Sequence, residues 1–330
     1  MINNFIYMFN SIANKLDKYR KFIFILLTIV ILILPFTGIN GYYLRIIIMI
    51  CIYSILALGL NLVTGYAGQV SLGNAAFYAI GAYTSAILST RFGINFFIAI
   101  VCAGLVSAIF GFLIGLPSLR LSGTYLAITT LGFGEVIRIF LLNFDKLTNG
   151  PLGISRIPKP SLFGFELTLV NNGLYFLVLI LLTIILLACY FIINSKIGRA
   201  FIAIKEDELA ASLMGIKTTV YKVLSFILSA LFSGIAGSFY AHMTSYIDPN
   251  TFVFDTSIMI LSIVILGGMG TLKGMIIGAI ILVSFPELLR FVDRFRFIVY
   301  GIILVCMMRF RPQGIMGGQV KKPYKLPNSL

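Results

Sequence analysis

Apolar residues run through this chain in long blocks, with only brief polar interruptions. The stretches FIFILLTIVILILPF (22–36), IIIMICIYSILAL (46–58) and LYFLVLILLTIILLACYFII (174–193) hold no ionised side chain. A helix of about 20 apolar residues crosses the ~30 Å hydrocarbon core of a bilayer, and the third stretch is that long. The blocks and their breakers predict helical segments near 22–38, 44–63, 71–90, 94–117, 121–142, 173–193, 219–243, 254–271, 274–287 and 296–310. Those near 71–90, 254–271 and 274–287 are weak or short, so broken or re-entrant segments are expected among them. The fold class read from this pattern is all-α. It is a polytopic helical membrane protein of about 8–10 transmembrane helices, some broken or re-entrant.

Composition agrees with the pattern. Hydrophobic residues make up 59% of the chain and charged residues 11%, far below the roughly 25% charged residues of soluble domains. The net charge of +14 does not require a nucleic-acid partner, because Lys and Arg concentrate in the cytoplasmic loops of membrane proteins. Placing both termini in the cytoplasm puts most basic residues inside, among them Lys196, Arg199, Lys205 and Lys217 of a single loop and Lys222 just after it. The expected division is a cytoplasmic segment 1–21, a membrane domain 22–310 and a cytoplasmic tail 311–330. The membrane domain includes an external loop near 143–172 and a charged inner loop near 194–218. Lys15, Lys18, Arg20 and Lys21 precede the first apolar run, but no small-x-small cleavage site follows, so a retained first helix is expected.

Catalytic patterns are missing from the sequence. No G-x-S-x-G, H-E-x-x-H or P-loop is present, so the chain is expected to carry no ATPase site of its own and to be no enzyme. His242 is the only histidine, and near a helix end it reads as a packing residue. Cys51, Cys102, Cys189 and Cys306 lie singly in apolar segments and read as small packing residues. No metal site and no cofactor are expected. Glu135 and Asp255 are the carboxylates nearest the membrane. Glu135 stands three residues before Arg138 and shares its helix face, so no proton relay emerges.

One stretch breaks the apolar monotony without adding charge. LNLVTGYAGQVSLGNAAFYAIGAYTSA (60–86) mixes Asn61, Gln69, Asn74, Tyr78 and Tyr83 with glycines and alanines. Ser71, Ala75, Ala79, Ala82 and Ala86 recur at helical spacing, a small-residue face suited to close helix packing. Gly65, Gly68 and Gly73 precede it and predict interrupted backbone, which lipid tolerates only inside protein or beside a watery cavity. Gly267, Gly268 and Gly270 are the candidate counterpart in the second half, since transporter halves often carry paired breaks. Uncharged polar groups can touch a neutral solute without trapping it, so Asn61, Gln69, Asn74, Tyr78 and Tyr83 are candidate pathway residues.

The inner loop carries KEDELAASLMGIK (205–217). Glu206, Asp207 and Glu208 suit a helix N-terminus and Gly215 a left-handed C-terminal cap. Leu209, Leu213 and Ile216 form an apolar stripe. An acidic rather than lysine-rich start favours a soluble protein partner over the lipid surface.

ELAASLMG (208–215) resembles the coupling loop of ABC importer permeases, E-A-A followed three residues later by Gly, with Leu209 in the first motif position and the glutamate at 208. Together with LGLNLVTGYAGQVSLGNAAFYAIGAYTSA (58–86), IGRAFIAIKEDELAASLMGI (197–216), SGIAGSFYAH (233–242) and ILGGMGTLKG (265–274), it resembles the second of the two paired permeases of branched-chain amino-acid ABC importers. The resemblance covers nearly all of residues 45–315. It implies a permease domain over 22–310 in a bacterial or archaeal cytoplasmic (inner) membrane. It also implies a second homologous permease, two ATP-binding cassette subunits and an external substrate-binding protein as partners. By that resemblance Glu208, Ala210, Ala211 and Gly215 contact an ATPase, and leucine, isoleucine and valine pass inward. Permeases for urea or another small amino acid or amide carry similar motifs. The reading from a different class is an ion- or proton-coupled secondary transporter, and a lipid-handling membrane enzyme lacks a catalytic cluster.

Overall fold

A computed structural model describes residues 40–117, 123–162 and 165–288, with isolated positions at 35, 121, 301, 305, 309 and 314–317. The segments expected at 22–38 and 296–310 therefore lie outside the described stretches. The chain divides into two compact units, Met1–Arg45 and Ile46–Leu330, and the architecture below is that of the second.

Helix α1 (Gly41–Asn61) continues as a π-helical turn over Leu62–Tyr66; α2 (Asn74–Arg91), α3 (Phe96–Gly115) and α4 (Gly123–Asn143) follow. After the loop come α5 (Gly173–Asn194), α6 (Lys196–Glu206), α7 (Glu208–Leu213), α8 (Thr218–Thr244), α9 (Phe254–Gly267) and α10 (Leu272–Leu288). Five helices among the described residues are long and apolar enough to cross a membrane: Gly41–Tyr66, α3, α4, α5 and α8. The chain is a multi-pass, all-α membrane protein. α9 has 14 residues, about 21 Å at 1.5 Å per residue, short of a bilayer core. The shortness expected of this region is thus real, and it ends at Gly267 rather than at 271.

α8 is the centre of the unit, packed along α3 and α2, which also pack on each other. Small residues make this possible. Gly81 of α2 lies directly against the backbone of Gly234, and Gly237 of α8 lies against the backbone of Tyr78 and Ala82. A Cβ at either glycine would collide with main chain rather than with a movable side chain. Such close approach gains dispersion contacts and replaces the hydrophobic drive that lipid does not supply. Of the small residues expected to form one face of α2, Ala82 lies in this crossing, and Ser71 precedes the helix.

The outward faces differ. Ile98, Val101, Leu105, Ile109 and Phe112 on α3 and Ile180, Ile184, Leu187 and Phe191 on α5 are exposed at helical spacing, as suits hydrocarbon contact. The loop expected near 143–172 holds short elements only. β1 (Ile154–Ser155) pairs antiparallel with β4 (Tyr246–Ile247), and β2 (Ser161–Leu162) with β3 (Phe165–Glu166). Residues 315–316, assigned above to a tail, return to the body. The N–H groups of Ile315 and Met316 donate to the carbonyls of Leu266 and Gly267 at 2.9 and 3.0 Å, satisfying the last carbonyls of α9.

Candidate functional site: paired helix breaks and the inner loop

The α1–α2 stretch is broken where its glycines predict. Gly68 takes φ +72°, a conformation open to glycine at little steric cost. Helical hydrogen bonding stops between Ala67 and Asn74, so the start of α2 needs other acceptors. Thr130 Oγ1 of α4 accepts from Leu72 N–H (3.0 Å), Ser71 Oγ from Gly73 N–H (3.4 Å) and Ser257 Oγ of α9 from Ala75 N–H (3.0 Å). Three hydroxyls, two of them from other helices, thus satisfy N–H groups that lipid would leave orphaned.

The second break has the same character. Gly268 and Gly270 take φ +109° and +81° between α9 and α10. The two breaks touch. Asn61 Oδ1 accepts from Gly270 N–H at 2.9 Å, and Asn61 Nδ2 donates to the Thr271 carbonyl at 3.2 Å. Gly65 sits against Asn61 Oδ1 and Gly270 N, with no room for a Cβ.

The other pathway candidates divide by their partners. Asn74 donates to the Leu56 carbonyl (3.3 Å) and accepts from Ser229 Oγ (3.1 Å), tying α1, α2 and α8 together. The Tyr78 ring is buried against Phe252 and Tyr240, centroids 5.1 and 5.5 Å away. The Tyr83 ring faces Phe252 at 6.1 Å, and its buried hydroxyl has no partner among the described residues. Gln69 is buried with neither end of its amide bonded among them. It lines a cavity of about 90 Å³ whose other polar walls are Lys205, Glu208 and Lys222.

The inner loop folds as two helices. Asp207 caps α7 by accepting from Ala210 N–H at 2.9 Å. At the far end Gly215 has φ +84°, Gly215 N–H bonds the Ser212 carbonyl and Ile216 N–H the Ala211 carbonyl. That pair of bonds is the Schellman closure its glycine predicts. Ala211 is buried, whereas Glu208, Ala210 and Gly215 are exposed. Leu209, Leu213 and Met214 are 71%, 80% and 83% exposed, an apolar face left uncovered among the described residues. Ile216, placed on the same stripe by spacing, is only half-exposed.

Two lysines connect this loop to the membrane helices. Lys222 of α8 is 6% exposed and pairs with Glu208 of α7. Lys205 of α6 donates to the Gly65 carbonyl at 2.7 Å, an acceptor within the π-helical turn. Sequence reading places both lysines on the cytoplasmic side and misses these contacts, which span 14 and 140 residues. It does find the Glu135–Arg138 pair, 2.9 Å apart on α4. His242 is a packed residue as read: its ring bonds Ser85, Ser89 and the Pro158 carbonyl. No three His, Cys, Asp or Glu side chains converge among the described residues.

Comparisons with known proteins agree on one family. Residues 42–308 match the family model described as branched-chain amino acid transport system / permease component. Over 290 residues the chain is 43% identical to the high-affinity branched-chain amino acid transport system permease protein LivM of Salmonella typhimurium, covering 81% of this chain and 68% of that one. It is 42% identical to LivM of Escherichia coli over 80% of this chain and 68% of the relative. LivH of Escherichia coli is 28% identical over 80% of this chain and 91% of its own length. No solved structure matches significantly.

Proposed function

The chain belongs to the branched-chain amino acid transport permease family, as a permease subunit of an ABC importer, and on that premise we propose that it conducts leucine, isoleucine and valine inward across the cytoplasmic membrane. The energy comes from ATP hydrolysed on separate subunits, since the chain has no Walker sequence. A second, LivH-like permease completes the pathway. Two ATP-binding cassette subunits dock on the inner loops, and an external binding protein delivers the substrate.

The observation that carries this reading is the exposed apolar face of α7, held by caps at both ends and anchored to α8 through Glu208 and Lys222. A short helix with a rigid frame and a bare apolar face fits a groove on a soluble partner. Movement of that partner reaches the membrane by two routes. One runs through Glu208 and Lys222 into α8; the other runs through α6 and Lys205 to Gly65, at the break that Asn61 fastens to Gly270 and Thr271. Glu208, Ala210, Ala211 and Gly215 act at the ATPase contact, with Ala211 packing α7 inward and Ala210 facing the partner. Gln69 and Tyr83, whose side-chain polar atoms meet no partner among the described residues, are the candidates left to touch a solute. Asn61 and Asn74 position the helices around it.

The test is reconstitution of this chain with its partner permease, ATPases and binding protein in proteoliposomes. ATP-dependent accumulation of leucine, isoleucine and valine is expected. Accumulation of urea in their place overturns the substrate, and accumulation driven by an ion gradient without ATP overturns the class. A cysteine at Ser212, on exposed α7, should cross-link to an ATPase subunit.

A further inference from the structure

Gln69 sits in the break between α1 and α2 with its backbone fixed and its side chain unanswered. Its N–H donates to the Val63 carbonyl at 2.9 Å. The side chain is 6% exposed, yet neither Oε1 nor Nε2 meets a partner among the described residues. A buried amide left in this way is costly, and its retention calls for a state of the protein that uses it.

The cavity of about 90 Å³ beside Gln69 is also walled by Lys205, Glu208 and Lys222. Among the described residues that line it, only Glu208 and Gln69 carry a side-chain acceptor. Glu208 holds Lys222, and Lys205 has an acceptor of its own in the Gly65 carbonyl at 2.7 Å. The two members of the ion pair are unequally placed. Lys222 is rooted in the 27-residue α8, and its side chain is 8% exposed. Glu208 opens the six-residue α7, and its side chain is 48% exposed. A pull on the bare apolar face of α7 therefore carries the carboxylate away and leaves the ammonium buried. A buried ammonium without a partner is strongly destabilising, and the acceptor that remains in the cavity is Gln69 Oε1.

We propose that Gln69 is a positioning residue for coupling, whose Oε1 receives Lys222 Nζ when Glu208 is drawn off. The inner loop then has two discrete arrangements, each with the ammonium satisfied, as a switching element requires. The cavity supplies the room, since at ~30 Å³ per water it has the volume of about three waters. The neutral amide suits the task. A carboxylate at 69 would hold Lys222 through a stronger, charge-assisted bond and oppose its return to Glu208, whereas an apolar residue would offer no second arrangement. The coupling role rests on the transport reading above and deepens it; of the two candidates for solute contact it gives Gln69 another task and leaves Tyr83.

The first test reads stability and needs no transport. The complete importer of two permeases and two ATPases is heated in detergent, and a fluorescent protein fused to this chain reports its melting. Gln69→Leu removes the unpartnered amide at similar size and should leave the melting temperature unchanged or raised. With Glu208→Ala in place, the same change should lower it by about 2–4 °C, because Lys222 then has no acceptor left. Gln69→Glu should restore the melting temperature that Glu208→Ala lowers, since a carboxylate on that wall reaches the same ammonium. The same effect of Gln69→Leu in both backgrounds, or no recovery by Gln69→Glu, overturns the proposal. The second test reads coupling in proteoliposomes with the binding protein present. Gln69→Leu should lower the leucine accumulated per ATP hydrolysed about ten-fold, the weight of one hydrogen bond to a charged group. Unchanged uptake per ATP also overturns the proposal, and it decides the matter if Glu208→Ala yields no folded protein. Absence of leucine uptake by the unsubstituted importer sinks the transport reading instead, and the reversal of sign in melting then decides whether Lys222 has its second acceptor.

Discussion

Asn61 and Gly270 stand 209 residues apart in the chain, yet the side chain of one accepts the backbone N–H of the other at 2.9 Å. The same amide donates to the Thr271 carbonyl, so one side chain completes the hydrogen bonding of both helix breaks. Irregular backbone at membrane depth survives only when such groups are met inside the protein. Asn61→Ala leaves an N–H and a carbonyl without partners and should cost about 2 kcal/mol. Asn61→Asp keeps the acceptor for Gly270 but loses the donor to Thr271. A lowered melting temperature in detergent for both variants is the expected result; an unchanged melt for Asn61→Ala removes this contact from the fold's essentials.

Lys222 is buried where Glu208 is half exposed, so the two halves of their ion pair are unequal. Removing the glutamate strands a desolvated ammonium, whereas removing the lysine leaves a carboxylate that water can reach. Glu208→Gln should therefore destabilise more than Lys222→Met, by about 1–2 kcal/mol. A double-mutant cycle on these two changes should return a favourable coupling energy. Equal and additive effects would show that the pair anchors nothing.

Lys205 offers a different kind of test, because its bond to the Gly65 carbonyl links the inner loop to the first break. Lys205→Met keeps the stem and deletes the donor. The reconstituted complex should still hydrolyse ATP but accumulate less leucine per ATP consumed. A proportional fall of both rates would place Lys205 in assembly rather than in coupling.

Much of this arrangement is legible in the sequence because it is local. The period of apolar positions locates α1 to α5 and α8 to α10, and acidic residues followed by glycine locate α7 with its caps, whereas α6 lies in a loop whose apolar pattern announces no helix. Glycine clusters locate both breaks, where glycine takes positive φ at little steric cost: the values at Gly68, Gly268 and Gly270 are +72°, +109° and +81°. What joins these pieces leaves no local trace. Asn61 looks like a solute-facing amide until Gly270 and Thr271 are brought beside it, and Asn74 until Leu56 and Ser229 are. Gln69 has the same composition-level signature, yet its side-chain amide meets no partner among the described residues. Residue type cannot separate them, because the difference lies in what the fold carries to each side chain across many residues.

Gly237 lies against the backbone of Tyr78 and Ala82 where α8 crosses α2. A Cβ there meets main chain, which cannot rotate away as a side chain can. Gly237→Val should therefore separate the two helices or prevent folding, a loss at the upper end of the ~1–3 kcal/mol usual for overpacking or beyond it. Gly134→Val, where nothing lies within 4 Å, serves as the matched control and should yield folded protein. Comparable yields of monodisperse protein from both variants would contradict the close crossing.

Gly215 differs from Gly237 in that it has open space around it and an unusual backbone angle. No atom lies within 4 Å of a Cβ placed there, but φ is +84°. A β-branched residue at that angle is strained by about 1–2 kcal/mol, and relief requires opening the Schellman closure that ends α7. Gly215→Val should leave the membrane helices intact, because the strain is confined to an exposed turn. It should tilt the exposed face formed by Leu209, Leu213 and Met214. The assembled importer should then hydrolyse ATP with little leucine uptake, and Gly215→Asn, which accepts left-handed backbone, should recover most of the loss. Full uptake by Gly215→Val would show that the turn does not orient the docking face.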